Sequence, residues 1–420
     1  MAAVLESSPE ARFAPPPAGG WPTDEASLAA FRAEVAQWLE QNRPPQPDFL
    51  LPESFMEVGT DAQFEYLRDW QRKVYQAGYL GMAWPRDYGG GGRPQVYQDI
   101  VNAEMARLKV PFVPNTIGLN WAGPLILSIG SEAEKRRYIP GILSGDEIWC
   151  QGFSEPDQGS DLANSQTRAV RDGDHYVLNG SKIWTSLGSY ARYMILLART
   201  DPEQPRYSGL SFFLVPMDAP GIDTRPIRKL TGEYGFNQTF FNEARIPASC
   251  LMGREGEGWK IAMLTLTFER GATGGQAGGL SRMYLSVDDV VAMARKARRD
   301  GRPAIEDPLI RDQLVRFIIE DQGDRLCTAR AAHPALCSER PQAIALSNKL
   351  RVSEHKRRLL QFALSLQGAN AARWVGDAHA IEGGKWQRAY FNSFASTIGG
   401  GTSQIQANIV GERVLGLPKD

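Results

Sequence analysis

A chain of 420 residues exceeds the size at which one hydrophobic core usually stops growing, so two or three domains are expected. Its 42% hydrophobic and 23% charged content is ordinary for a soluble globular protein and excludes disorder throughout. A formal net charge of -1 supplies neither the basic footprint of a nucleic-acid binder nor a polybasic membrane face, although Arg295–Arg302 (RKARRDGR) is locally basic.

Along the chain, residues 1–22 read as a disordered Pro/Ala/Gly arm; they carry acidic residues and no apolar h-region, so no signal peptide is expected. A helix starts near Thr23, with Asp24 or Ser27 as its cap and Leu28, Phe31, Val35 and Leu39 at helical spacing. Further helices are expected over Gln63–Ala77 and Gln98–Arg107, with Met82–Gly92 (MAWPRDYGGGG) as a loop between them. Another helix, Glu132–Tyr138, should stop before Pro140. After Glu147 the period becomes two: HYVLNGSKIW, YMILLART and SGLSFFLVPM are strand-like runs broken by turn formers. Helical patterns return over Trp259–Lys296, Pro308–Ala332 and Pro341–Gln367. The expected organisation is an N-terminal helical domain (23–148), a middle antiparallel β domain (149–253) and a C-terminal helical domain (254–420).

The four cysteines form no CxxC pair and stand among only four histidines, so neither zinc nor a disulfide framework is indicated. A reducing cytoplasm is the default compartment. No apolar run reaches the roughly eighteen residues of a membrane span.

The segment Trp149–Asp161 (WCQGFSEPDQGSD) offers Ser154, Ser160 and Asp161 among turn formers, and KIWTS follows at Lys182–Ser186. Such a loop can present hydroxyl and backbone donors to the polar edge of a flat redox ring, with Trp184 beside it. A surface turn and a core tryptophan fit the same residues. Glu269 lies on a helix whose face carries Ala262, Thr265, Leu266, Ala272, Thr273 and Gln276. Partial burial would raise its pKa toward that of a general base; a solvated pairing with Arg270 is the alternative. Gly271, Gly274, Gly275, Gly278 and Gly279 each cost about 1 kcal/mol in a helix, offset either by close helix packing or by room for a wide ligand. Gly399–Gly401 precede Thr402, Ser403 and Gln404 without a GxGxxG pattern after a strand, so no dinucleotide-binding βαβ unit is read.

Together, AWPRDYGGGG, CQGFSEPDQGSD, NGSKIWTS, GREGEGWKIA and IGGGTSQIQANIVGERVLGLP resemble the acyl-CoA dehydrogenase family, from about Thr23 onward. The resemblance favours the functional reading of each segment. It implies the fold of that family: multi-domain α+β, with an all-α N-terminal domain, an antiparallel β-barrel in the middle and a C-terminal four-helix bundle. It also implies FAD and the dehydrogenation of an acyl-CoA thioester to the trans-2-enoyl-CoA. A glutamate removes the pro-R α-proton while the β-hydride passes to flavin N5. By similarity Phe153 and Ser154 contact the flavin ring, Trp184 lies beside it and Ser186 bonds near N5. Ser160 lies toward the pyrophosphate or the substrate's pantetheine, and Thr402 and Gln404 meet the adenosine half. Many members carry the base just before a GTSEIQ-like motif, where this chain has Gly400; members similar to isovaleryl-CoA dehydrogenase carry it before an arginine, which points to Glu269 followed by Arg270. The Gly400 N–H could still polarise the thioester carbonyl.

Two departures from the family pattern stand out. RRDGRPAIEDP replaces RxxFG, leaving Arg299 as the counterpart of an FAD-pyrophosphate arginine, and LSLQGAN (Leu364–Asn370) replaces QxxGG. Both fall on contacts made across subunits, as in bacterial members acting on steroid side chains. The resemblance thus implies a homodimer, a homotetramer or a heterotetramer with a related chain, and an electron-transfer flavoprotein as acceptor. An oxygen-using flavin enzyme of the same fold and a non-catalytic partner subunit are the alternatives.

Overall fold

The computed structural model describes residues 13, 15–269, 285–331, 333–337 and 342–418, and it divides into two units, residues 1–282 and 283–420. The first unit begins with α1 (Glu25–Asn42), capped by Asp24, whose carboxylate accepts from the Ser27 N–H at 2.9 Å. Of the arm's described part, Phe13 is buried and its carbonyl accepts from Arg86 at 3.0 Å, while Arg93 sits 4.2 Å over the Trp21 ring. These two aromatics are anchored, because each buries a ring that a purely Pro/Ala/Gly arm would lack.

Helix α2 (Asp61–Gln76) buries Phe64, Leu67, Trp70 and Val74, and α3 (Gln95–Arg107) buries Tyr97, Ile100 and Val101. In the glycine run between them, a Cβ on Gly91 would sit 2.7 Å from the Met82 carbonyl oxygen, so close backbone approach explains the missing side chains. A π-turn (Gly118–Ala122) and α4 (Gly123–Ile129) follow, both too short and too uniformly apolar to show a helical period. The expected stop before Pro140 does not occur: α5 (Glu132–Ser144) runs through it. Pro140 is exposed, so water can satisfy the Arg136 carbonyl that loses its partner.

The strands are β1 (Trp149–Gly152), β2 (Arg168–Asp172), β3 (His175–Ile183), β4 (Tyr193–Arg199), β5 (Leu210–Pro216), β6 (Ile222–Arg228), β7 (Tyr234–Pro247) and β8 (Leu251–Met252). They form one sheet in the order β6-β7-β3-β2-β4-β5-β8, with β1 also pairing β4. The expected β domain is therefore present as an open, mixed sheet: β4 is parallel to both β1 and β2, and the other pairings are antiparallel. Every residue of β4 is buried because alternate side chains feed two cores. Ile195 and Leu197 join the core shared with the helices, and Met194, Leu196 and Ala198 join the opposite one. That two-sided burial produces the unbroken apolar run YMILLA.

Helix α6 (Gly258–Glu269) closes the described part of this unit and packs on β4 and β5. A Cβ on its first residue, Gly258, would lie 2.5 Å from the Ser211 backbone, so the helix N-terminus rests directly on β5.

The second unit contains α7 (Val287–Lys296), a hairpin of β9 (Arg298–Arg299) and β10 (Arg302–Pro303), α8 (Pro308–Ala331), α9 (Gln342–Ser365), α10 (Lys385–Ile398) and α11 (Ser403–Ile409). Val290, Ala294, Leu314, Leu360, Ala363 and Trp386 are in its core. Helices α8 and α9 are tied by Glu320 to His355 at 2.8 Å and to Arg358 at 2.7 Å. Residues 270–284, including Arg270 and the glycines from Gly271 to Gly279, lie outside the described residues.

Candidate active site

Two loops of the first unit carry the ring-contact candidates, and a buried ion pair joins them. Lys182, near the end of β3, is fully buried, and its ammonium lies 2.8 Å from Glu155 Oε1 and 2.9 Å from the Phe153 carbonyl. Glu155 also accepts from the backbone N–H groups of Gln166 (2.7 Å) and Thr167 (2.9 Å). The Ile183 N–H donates to the Ser154 carbonyl at 2.9 Å. Three consecutive residues after β1 are thereby laced to two consecutive residues of β3. Burial pushes the Lys182 ammonium down to about 8 against the pull of Glu155. Burial acts to raise the Glu155 carboxyl, yet Lys182 and the two N–H donors hold it below the usual range.

Past Ile183 the chain leaves the sheet in a turn with two non-glycine left-handed residues, Trp184 (φ 62°) and Leu187 (φ 61°). Each such conformation costs about 1–2 kcal/mol. Asn237 of β7 braces the turn: its carbonyl accepts from the Thr185 N–H and its side-chain Nδ2 donates to the Thr185 carbonyl, both at 2.9 Å. Ser189 donates to Asn237 Oδ1 at 2.7 Å, which fixes the amide orientation, since the Thr185 carbonyl can only accept.

The polar atoms around these loops are unevenly satisfied. The hydroxyls of Ser154 and Ser186 have no hydrogen-bond partner among the described residues, and Thr185 Oγ1 and Gln151 Nε2 are buried without one. Trp184 is 55% exposed, its ring edge-on to Phe236 at 5.7 Å. Donors without internal partners beside an uncovered indole fit a flat, polar-edged ring such as the flavin expected from the sequence.

The remaining candidates are placed as follows. Phe153 is buried and meets Phe212 edge-on at 5.9 Å. Ser160 is exposed, next to Asp161, which pairs with Arg206. Glu269 is half-buried at the end of α6, on the helix whose Ala262 and Thr265 are buried. In the second unit, Gly400 (φ 65°) and Gly401 (φ 90°) make left-handed turns into Thr402, whose hydroxyl caps α11 by accepting from the Ile405 N–H at 3.2 Å. Gln406 donates to the Gly400 carbonyl at 2.8 Å, and Lys349 donates to that of Gly401 at 2.5 Å. Gln404 is exposed. Arg299 projects from the β9–β10 hairpin, 3.5 Å from Asp307 and largely in solvent.

The sequence reading passed over Glu155, Lys182 and Asn237. A lysine two residues before Trp184 in a strand pattern was the available signal for the first two, because an inward lysine requires a buried acid. Nothing local marked Asn237, whose contact depends on the β3–β7 register that pairs Gln238 with Ile183.

A helical, β and helical succession places the chain in a three-domain class, and comparison with known proteins makes the assignment. Residues 26–146, 150–243 and 256–415 match the N-terminal, middle and C-terminal domains of acyl-CoA dehydrogenase, and the chain belongs to that family of flavoprotein oxidoreductases. Acyl-CoA dehydrogenase IpdE1 of Mycolicibacterium smegmatis is 38% identical over 405 residues, covering 93% of this chain and 98% of its own. Its counterpart from Mycobacterium tuberculosis is 38% identical over 392 residues, with the same coverage. Among solved structures, the Tcur3481–Tcur3483 steroid acyl-CoA dehydrogenase superposes with a TM-score of 0.76 at 30% identity, covering 94% of this chain and 99% of that one. The ChsE4–ChsE5 complex from Mycobacterium tuberculosis gives 0.74 at 27%, covering 95% and 99%. No described helix is long and apolar enough to cross a membrane, and no described cluster of His, Cys, Asp or Glu could hold a metal ion.

Proposed function

We propose that this enzyme introduces a trans double bond between Cα and Cβ of an acyl-CoA thioester, with Glu269 removing the α-proton. The observation that carries the reading is the pair of hydroxyls, Ser154 and Ser186, that have no hydrogen-bond partner among the described residues, on loops pinned together by the Lys182–Glu155 pair beside the uncovered Trp184. FAD, held by Phe153, Ser154, Trp184 and Ser186, with Ser160, Arg299, Thr402 and Gln404 toward its remaining length, would supply the hydride-accepting chemistry.

Glu269 is half-buried at the end of a helix seated on the sheet that carries these loops, which places a carboxylate in the same unit as the proposed ring contacts. The Gly400 N–H would donate to the thioester carbonyl as negative charge develops there. Arg270, next in sequence, would bind substrate. An electron-transfer flavoprotein is the proposed acceptor, and the cytoplasm the proposed compartment. A steroid-derived or other polycyclic acyl group is the proposed substrate class, supported by the steroid acyl-CoA dehydrogenase relative. Assembly with a related chain is supported by the ChsE4–ChsE5 relative, which is a complex, and by the departures from RxxFG and QxxGG.

Purified protein should be yellow and should bleach anaerobically with a suitable acyl-CoA. Glu269→Gln should keep the colour and lose at least about 100-fold in bleaching rate, the usual contribution of a positioned base. Bleaching of Glu269→Gln at the parent rate would show that another group takes the proton.

A further inference from the structure

We infer that Asn237 is a positioning residue for the flavin, acting through the Trp184–Ser186 turn that it clamps. The inference rests on the flavin reading above and adds a residue that lies outside every motif pointing to that reading.

The β3–β7 ladder pairs Lys182 with Thr239 and Ile183 with Gln238, and there it ends. The next residue of β3's chain, Trp184, enters the left-handed region, and the chain returns to it at Leu187. A turn holding two such residues relaxes unless its surroundings over-determine it. Thr185, directly after Trp184, is held to Asn237 at both its N–H and its carbonyl, and that carbonyl also accepts from the Gly188 N–H at 3.2 Å. The Asn237 side chain is buried, and its remaining acceptor is filled by Ser189, so the amide cannot rotate away without stranding a group. Its neighbour Phe236 holds the Trp184 ring edge-on. Rotating Thr185 would move the indole on one side and the Ser186 hydroxyl on the other, the two flavin contacts proposed for this turn.

Asn237→Asp keeps the side-chain volume while exchanging a neutral amide for a carboxylate. It replaces the donor facing the Thr185 carbonyl with an acceptor while leaving an oxygen for Ser189. Titration of FAD into apoprotein, read by flavin fluorescence and by the visible circular dichroism of the bound ring, tests the inference. Asn237→Asp should weaken FAD binding about 10- to 100-fold, the range expected when a buried carbonyl that keeps its Gly188 donor is faced by a carboxylate oxygen in place of an amide N–H, and should alter the ring's dichroism. Ser189→Ala, at an exposed position, should shift affinity in the same direction by about 2- to 10-fold.

A double-mutant cycle separates positioning from general stability. In a Trp184→Ala/Ser186→Ala background the Asn237→Asp effect should fall below about twofold, because the contacts through which it acts are gone. Equal effects in both backgrounds, or unchanged affinity and dichroism in Asn237→Asp, would overturn the inference while leaving the flavin reading intact. Parent protein that binds no FAD would overturn the flavin reading itself, and this inference with it.

Discussion

Removing the carboxylate of Glu155 while leaving Lys182 in place should destabilise the first unit more than any exposed charge deletion. In Glu155→Gln the fully buried ammonium keeps only the Phe153 carbonyl and a neutral amide oxygen. Breaking a buried pair from one side costs about 3–5 kcal/mol, a large share of the roughly 5–15 kcal/mol that holds a domain folded. Lys182 titrates at about 8 when folded and near 10.5 otherwise, so between those values the unfolded chain binds more protons and stability rises with pH. Without Glu155 the folded pKa drops further, and the rising window extends below 8. The Glu155 carboxyl, depressed from 4.5, contributes its stabilisation in full above that value and loses it only in acid, so it adds no slope near neutrality. The deficit of the variant should therefore be larger at about pH 6 than at about pH 8. Urea unfolding of both proteins at the two pH values, followed by tryptophan fluorescence, measures it. A deficit under about 1 kcal/mol, or one identical at both pH values, would refute the reasoning. Lys182→Met, which removes the costly charge along with the bond, should lose less.

Other perturbations separate site from scaffold. Trp184→Ala should leave the melting temperature nearly unchanged, since the indole is mostly in solvent, while lowering FAD affinity on titration. Gly401→Ala forces a side chain into a backbone with φ 90° and a contact 2.8 Å from Gln406 Nε2; calorimetry should show a loss of about 1–2 kcal/mol. Among straight, branched and polycyclic acyl-CoAs, polycyclic ones should bleach the flavin fastest, and reaction with unbranched medium chains alone would remove the wide-pocket idea.

Much of this architecture is visible in local pattern. Asp24 caps α1 because its side chain reaches the first free N–H groups, a relation confined to neighbouring residues. The strands β3, β4 and β5 follow from alternating or unbroken apolar runs. What pattern missed depends on distant partners. Pro140 continues a helix because its side of α5 faces water, and α4 shows no period because it has only seven residues, the first four of them buried in succession. At the site, turn formers and hydroxyls left the loops around Ser154 and Trp184 open between a surface turn and a ring contact, and only the family resemblance favoured the second. The buried lysine that joins them, and the asparagine that braces one of them, act across 27 residues and 52 residues of sequence respectively. No local rule reaches so far.

Gly258 also sets a mechanical constraint. Its α-carbon is the fulcrum of α6, pressed on the Ser211 backbone, and Glu269 rides at the far end, eleven residues or about 16 Å away. Any methyl at the fulcrum must pry the rod off its bearing, and a swing of about 5° displaces the far end by about 1.4 Å. Misplacement of a reacting group by about 1 Å can cost about 100-fold in rate. A substitution at Gly258 would thus detune the proton abstraction proposed for Glu269 while leaving that carboxylate in the chain.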